Sequence, residues 1–293
     1  MRHSMRREFR NWLAVAILAG AGAGVAAGPA LAAEEHGGAH IARQQWTFGG
    51  MSGHFDNDQL RRGYQVYKNV CAACHGLRLL HYRNLSEPGG PEYAVGNVEQ
   101  IAAEAQVPDG PNDDGEMFTR PGKPADRFVS PYPNPKAAAA ANGGAVPPDL
   151  SVMAKARTIE RAGPWYLEPL NWISDIATTY QEQGPDYIHA MLTSYAEAPA
   201  GMTMAPGMYY NAAFPGHQIA MPSPLSDGQV TYPDGVPATL DNYSRDVTAF
   251  LMWTAEPKLE ERKRMGLKVL VYLSILAGLL YLSKRALWSK IKH

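Results

Sequence analysis

The 293-residue chain contains two cysteines, and both fall within Cys71-Ala72-Ala73-Cys74-His75. Two thiols one helical turn apart, followed at once by an imidazole, form the C-x-x-C-H pattern of covalent haem attachment. At that spacing both sulfurs reach the vinyl groups of one porphyrin as thioethers, and His75 falls under the iron as its proximal ligand. Other chemistries of paired thiols fit less well. A thioredoxin-like redox pair belongs in a βαβ context, which the flanking sequence lacks. A zinc site needs two more ligands, and with no third cysteine only His81 offers itself nearby. A structural disulfide is open to any exported protein. The motif, however, consumes every cysteine of the chain, and export supplies the compartment in which haem is attached.

The opposite face of the iron is less sharply marked. Methionine, which raises the potential, and a second histidine are the common choices. The chain offers methionines from Met117 to Met252, with His81, His189 and His217. Met221 stands out because Pro222 and Pro224 stiffen the loop that must hold its sulfur. On chemistry alone Met204 and His217 stay open.

Hydrophobic periodicity predicts only a few elements to position these groups. Residues 59–73 carry Leu60, Tyr64, Tyr67 and Val70 at helical spacing and run into the cysteine motif. A second helix is expected over 186–195, just after Pro185. A third, over 241–255, has a stripe of Tyr243, Val247, Phe250, Leu251 and Thr254, and Pro257 ends it. Residues 108–148 and 198–241 read as loops, being too rich in glycine and proline for long regular elements. Loops of that length are uncommon unless something organises them, which suits a large prosthetic group inside a mainly α fold. No internal repeat is visible.

Composition excludes a coiled coil, a disulfide scaffold and a fully disordered chain. The formal net charge of −1 conceals an uneven distribution. Residues 1–32 carry Arg2, Arg6, Arg7 and Arg10 against Glu8, while 262–293 carry eight Lys or Arg and no acid. Between them lie 15 basic and 27 acidic residues, a balance of −12. At the N-terminus the basic start, the apolar run 12–27 and Ala30-Leu31-Ala32 describe a secretory signal peptide, cleaved after Ala32. At the C-terminus the apolar run 269–282, bracketed by Lys268 and Lys284 and lacking a polar stripe, reads as a membrane span. Four basic residues flank the span on each side, so charge does not orient it. The export signal does. The expected organisation is a signal peptide at 1–32, an exported body at 33–261, a membrane anchor at 262–288 and a short cytoplasmic tail at 289–293.

The chain also carries an ordered series of motifs. Arg61-Arg62-Gly63-Tyr64-Gln65-Val66-Tyr67 leads into the cysteine motif, and Gly115-Glu116-Met117-Phe118-Thr119-Arg120-Pro121-Gly122 follows. Then come Pro131-Tyr132-Pro133-Asn134-Pro135, Pro147-Pro148-Asp149-Leu150-Ser151 and Phe214-Pro215-Gly216. Trp253-Thr254-Ala255-Glu256-Pro257 closes the body. This series resembles the cytochrome c1 family, the membrane-anchored haem subunits of cytochrome bc1 complexes. The resemblance implies a class I cytochrome c-like helical domain around one covalent haem c. It implies that Met221, in Ala220-Met221-Pro222, is the sixth iron ligand, and that a basic residue after Ser151 meets a haem propionate. Arg157 is the candidate, with Lys155 nearby. Some bacterial relatives carry a second cysteine pair; this chain has none, so its Met221 loop is expected to be held by packing alone.

The function so implied is one-electron transfer from a Rieske iron–sulfur protein to a cytochrome c, without substrate bonds made or broken. Cytochrome b and Rieske subunits are the expected partners, in a dimeric complex of a bacterial inner membrane with the haem domain periplasmic. No nucleic-acid partner is expected. The acidic body would steer a basic cytochrome c, with Asp109, Asp113, Asp114 and Glu116 as the densest acidic cluster. An exported haem sensor or ligand-binding module is the alternative from a different class.

Overall fold

Asp56 opens the first helix of the computed structural model, which describes residues 41–159, 165–178 and 180–289. The expected signal peptide at 1–32 and residues 290–293 of the expected tail lie outside the described residues. The Asp56 carboxylate accepts the N–H groups of Asp58 and Gln59, satisfying donors that a helix start leaves orphaned. Helix α1 (Asn57–Asn69) buries Leu60, Gly63, Tyr64, Val66 and Tyr67, the three-to-four spacing of its sequence, and gives way at Val70 to a 3-10 turn over Cys71–Ala73. Then follow α2 (Val95–Ala103), the antiparallel strands β1 (Gln106–Asp109) and β2 (Phe118–Pro121), α3 (Pro135–Ala141) and the single turn α4 (Met153–Ala156). Helices α5 (Glu168–Thr178) and α6 (Gln183–Thr193) precede a two-residue ladder of β3 (Tyr209–Tyr210) with β4 (Gln218–Ile219). Helix α7 (Leu240–Ala255), capped by Thr239, and α8 (Leu259–Trp288) complete the described chain.

The core is the crossing of α1 on α7. Gly63 makes it possible: a Cβ there would stand 2.1 Å from the Asp246 carbonyl oxygen and 2.7 Å from Phe250 Cβ. Around this point Tyr64, Tyr67, Phe128, Phe250 and Trp253 pack ring to ring, with Tyr82 stacked on Phe128 at 4.3 Å between centroids. Beside the glycine, Arg62 bridges the two helices to Asp246 at 2.9 Å and reaches Asp234 at 2.7 Å. Burial pushes the Asp246 carboxyl up, and the paired guanidinium opposes that push. A second close approach joins α6 to α4, where a Cβ on Gly184 would meet the Ala154 carbonyl at 1.9 Å.

The chain is mainly helical, as expected, and the three expected helices are present as α1, α6 and α7. The region read as loop over 108–148 contains more order than its composition suggests. It holds β2 and α3, the latter started by Asn134, whose side chain accepts from Ala137 N, and by Pro135 in its first turn. The β1–β2 hairpin is fixed by Arg120, which pairs with Asp109 and, through two bonds, with Asp126. That arrangement holds the Asp126 carboxyl down at about 2. Helix α8 begins at Leu259, so the boundary at 262 expected from charge falls inside a continuous helix. Among the described residues α8 is the one helix long and apolar enough to cross a bilayer, and its span is unburied.

The α1–α7 crossing generates a stability prediction with an internal control. Gly63→Ala should lower unfolding stability by about 1–3 kcal/mol in chemical denaturation, because the added methyl meets backbone and cannot be accommodated by a rotamer change. Gly96→Ala, in α2 with open space around its Cα, should instead be neutral or stabilise by up to about 1 kcal/mol.

Candidate cofactor site

Residues 70–75 turn on a single backbone feature. Val70 leaves helical geometry at φ −122°, and Cys74 N and His75 N then both donate to the Cys71 carbonyl, at 3.1 and 2.9 Å. The two thiols and the imidazole therefore leave one turn. Both thiols are free, which sets aside the disulfide. Burial, with Cys74 beside it, pushes the Cys71 thiol up to about 12, far from the thiolate that exchange chemistry needs. Among the described residues no three His, Cys, Asp or Glu side chains gather as a metal-binding group, so the zinc reading loses its remaining ligands.

His75 is oriented by a bond of 2.7 Å between Nδ1 and the Pro148 carbonyl oxygen. A carbonyl only accepts, so Nδ1 carries the proton and Nε2 the lone pair available to a metal. Burial lowers the imidazole's proton affinity, against the opposing pull of the Pro148 carbonyl and Asp149, and so favours the neutral form that coordination uses. The Tyr67 hydroxyl donates to the His75 carbonyl at 3.0 Å. Residues 147–151 are stapled to the same stretch: Leu150 N donates to Gly76 O, and Leu79 N to Ser151 Oγ. The Asp149 carboxylate accepts Arg78 N on one oxygen and Ser151 N on the other. The sequence alone does not mark Tyr67, Pro148, Asp149 and Ser151 as supports of His75. Their signal was present in the Pro147-Pro148-Asp149-Leu150-Ser151 run, whose partner 73 residues upstream no local pattern reveals.

Met221 lies two residues beyond β4, partly buried against the same core as Cys71, Ala72 and Met191. Its carbonyl accepts the Tyr195 hydroxyl at 3.1 Å. The expectation that packing alone holds this loop is corrected by Asn211. That side chain is fully buried, donates to the Met191 carbonyl at 2.7 Å and accepts the N–H groups of Ala213 and Phe214, while Asn211 N donates to His217 O. Hydrogen bonds to a buried amide thus close the segment that leads to Met221. Nothing in the local sequence distinguishes this asparagine from a turn residue. Of the other candidate ligands, His189 is committed to Asp241 at 3.0 Å and Met252 is buried within α7. His217 sits in left-handed backbone at φ 59° with its buried Nδ1 unpartnered, and Met204 is half-buried.

The two basic candidates separate. Lys155 pairs with Glu256 at 2.6 Å, and Glu256 also binds Arg262, so this lysine is engaged in joining α4 to the start of α8. Arg157 is exposed at the C-terminal end of α4. Within the acidic cluster, Asp109 is held by Arg120, leaving Asp113, Asp114 and Glu116 exposed on the turn of the β1–β2 hairpin.

Known proteins resemble this chain in sequence. The model of the Cytochrome C1 family matches residues 46–291. A cytochrome c1 from Rhodospirillum rubrum is 42% identical over 292 residues, covering 94% of this chain and 97% of its own. One from Blastochloris viridis is 47% identical over 262 residues, 89% of this chain and 90% of its own. A cytochrome b/c1 from Bradyrhizobium diazoefficiens is 56% identical over 246 residues, 84% of this chain but 35% of the relative, so the chain spans about a third of that longer protein. With the family's pattern running from Trp46 through the last helix, the chain belongs to the cytochrome c1 family.

Proposed function

We propose that the chain is the one-electron carrier subunit of a cytochrome bc1 complex, working beside cytochrome b and Rieske iron–sulfur subunits. The observation that carries this reading is the 71–75 turn with its imidazole fixed by Pro148, set within the family match. A covalently held haem c supplies the one-electron couple of its iron. Cys71 and Cys74 would hold it by thioethers, His75 would give its iron the Nε2 lone pair, and Met221 would give the iron its other protein ligand, from the Asn211-braced loop. Arg157, unlike the engaged Lys155, is free to meet a propionate. The chain itself makes and breaks no substrate bond. Its residues hold the group and orient the His75 ring through Pro148.

In this reading the segment 1–32 is removed after export, the body 33–261 is periplasmic, and the anchor 262–288 delivers residues 289–293 to the cytoplasm of a bacterial cell. The complex is dimeric. The electron goes on to a basic cytochrome c, drawn by the exposed acids of the β1–β2 turn.

Three measurements test the reading. Met221→Leu should lower the midpoint potential by on the order of 100 mV and open the iron to carbon monoxide. An unchanged potential would move the ligand elsewhere, and rapid carbon monoxide binding by the unaltered ferrous protein would favour a ligand-binding module. Asn211→Ala should cost about 2 kcal/mol or more of stability, since it strands buried backbone donors, and should make the Met221 ligation labile. Replacing Asp113, Asp114 and Glu116 together by their amides should slow electron transfer to a basic cytochrome c and flatten its salt dependence. An identical rate at low and high ionic strength in the unaltered protein would refute the steering.

A further inference from the structure

Helix α5 is inside out. On a helical wheel Leu170, Trp172, Ile173, Ile176 and Ala177 fill an arc of about 160°, and the polar side chains of Glu168, Asn171, Ser174, Asp175 and Thr178 take the remainder. In a soluble domain the apolar arc faces the core. Here the half-buried positions are Glu168, Asn171 and Asp175, whereas Leu170, Trp172, Ile173 and Ile176 are 61–77% exposed. The polar side is tied to the body: Asp175 pairs with Arg43 at 3.4 Å and accepts Gln183 Nε2 at 3.1 Å, and Tyr180 N donates to the Asp175 carbonyl. The orientation is therefore built in by specific polar contacts, and it directs a continuous apolar face outward.

The same contacts place α5 near the root of the anchor. Arg43, which holds Asp175 and stacks over Tyr180, lies five residues from Phe48. Those five residues span at most about 18 Å even when fully extended. The Phe48 carbonyl accepts Lys263 Nζ of α8 at 2.6 Å. Buried Glu182, in the link from α5 to α6, lies beside Gly49 and attracts the Lys263 ammonium. Two residues after Lys263 the exposed apolar surface of α8 begins at Met265. The outward face of α5 and the lipid-facing surface of α8 thus belong to one neighbourhood.

We propose that α5 lies in the bilayer interface, its Leu170–Ile176 face inserted among lipid acyl chains, as a second membrane contact beside the α8 span. Trp172 is the residue type that settles at the headgroup boundary. Helix α5 carries no Lys or Arg, so its attachment comes from apolar area and does not depend on anionic lipid. The inference rests on α8 being the membrane anchor.

Nitroxide labels on the haem-loaded full chain in lipid nanodiscs test it by collision with oxygen, which concentrates in lipid, and with a water-soluble nickel chelate. Labels at Ile176→Cys and Ile173→Cys should show oxygen-to-nickel accessibility ratios at least about threefold above a label at exposed Val146→Cys, approaching that at Leu273→Cys within α8. The ratios should be the same in zwitterionic and anionic discs. A water-like ratio at 173 and 176 with a lipid-like ratio at 273 overturns the proposal and leaves the anchor standing. A water-like ratio at 273 instead overturns the anchor, and the proposal with it. In the purified complex, a photoreactive benzoylphenylalanine at position 172 should label lipid; labelling of another subunit would show that a protein covers this face and would overturn the proposal.

Discussion

Everything in the body depends on how closely two helix backbones approach at Gly63. With no side chain there, α1 lies against the Asp246 carbonyl of α7, and Tyr64 and Tyr67 are carried down onto Phe250. Because the cysteine turn is the direct continuation of α1, the same contact fixes where the thiols and His75 stand relative to the core. The Arg62 bridge adds direction more than strength. A guanidinium held by two carboxylates sets the register of the crossing, while the burial of Asp246 offsets much of the attraction between them.

Away from that crossing, order comes from polar atoms in chain segments that have no regular structure. Asp149 and Ser151 replace a strand partner for residues 76–79, and Asn211 does the same for the long segment leading to Met221. Each is a short side chain that accepts backbone N–H groups the loop would otherwise leave unpaired. The result is a site whose two sides are braced independently on one core, one by the 147–151 segment and the other by the residues around α6.

This division explains what the sequence makes legible. The cysteine motif, the stripes of α1 and α7 and the apolar run of α8 are local patterns, and each appears where its pattern predicts. Asn211, Asp149 and Pro148 act on residues distant in the chain, and a proline-rich run looks the same whether it wanders or braces a histidine. The β1–β2 hairpin was hidden for a related reason, since its order depends on Arg120 reaching Asp126 rather than on alternating apolar residues. Helix α5 lies outside the three helices that periodicity predicts, and its apolar arc names only a face and says nothing of which way that face points.

The joint between α7 and α8 has a mechanical consequence. Three residues, Glu256 to Lys258, separate the two helices. Glu256 grips Arg262 and Lys155, Glu260 accepts Phe55 N at 2.8 Å, and Leu259 is sunk in the core. No slack is left for a swivel. The body is a post set in the membrane rather than a float on a line, so its height and heading above the bilayer follow the tilt of α8. Whatever brings an electron to it, or takes one away, has to do the travelling.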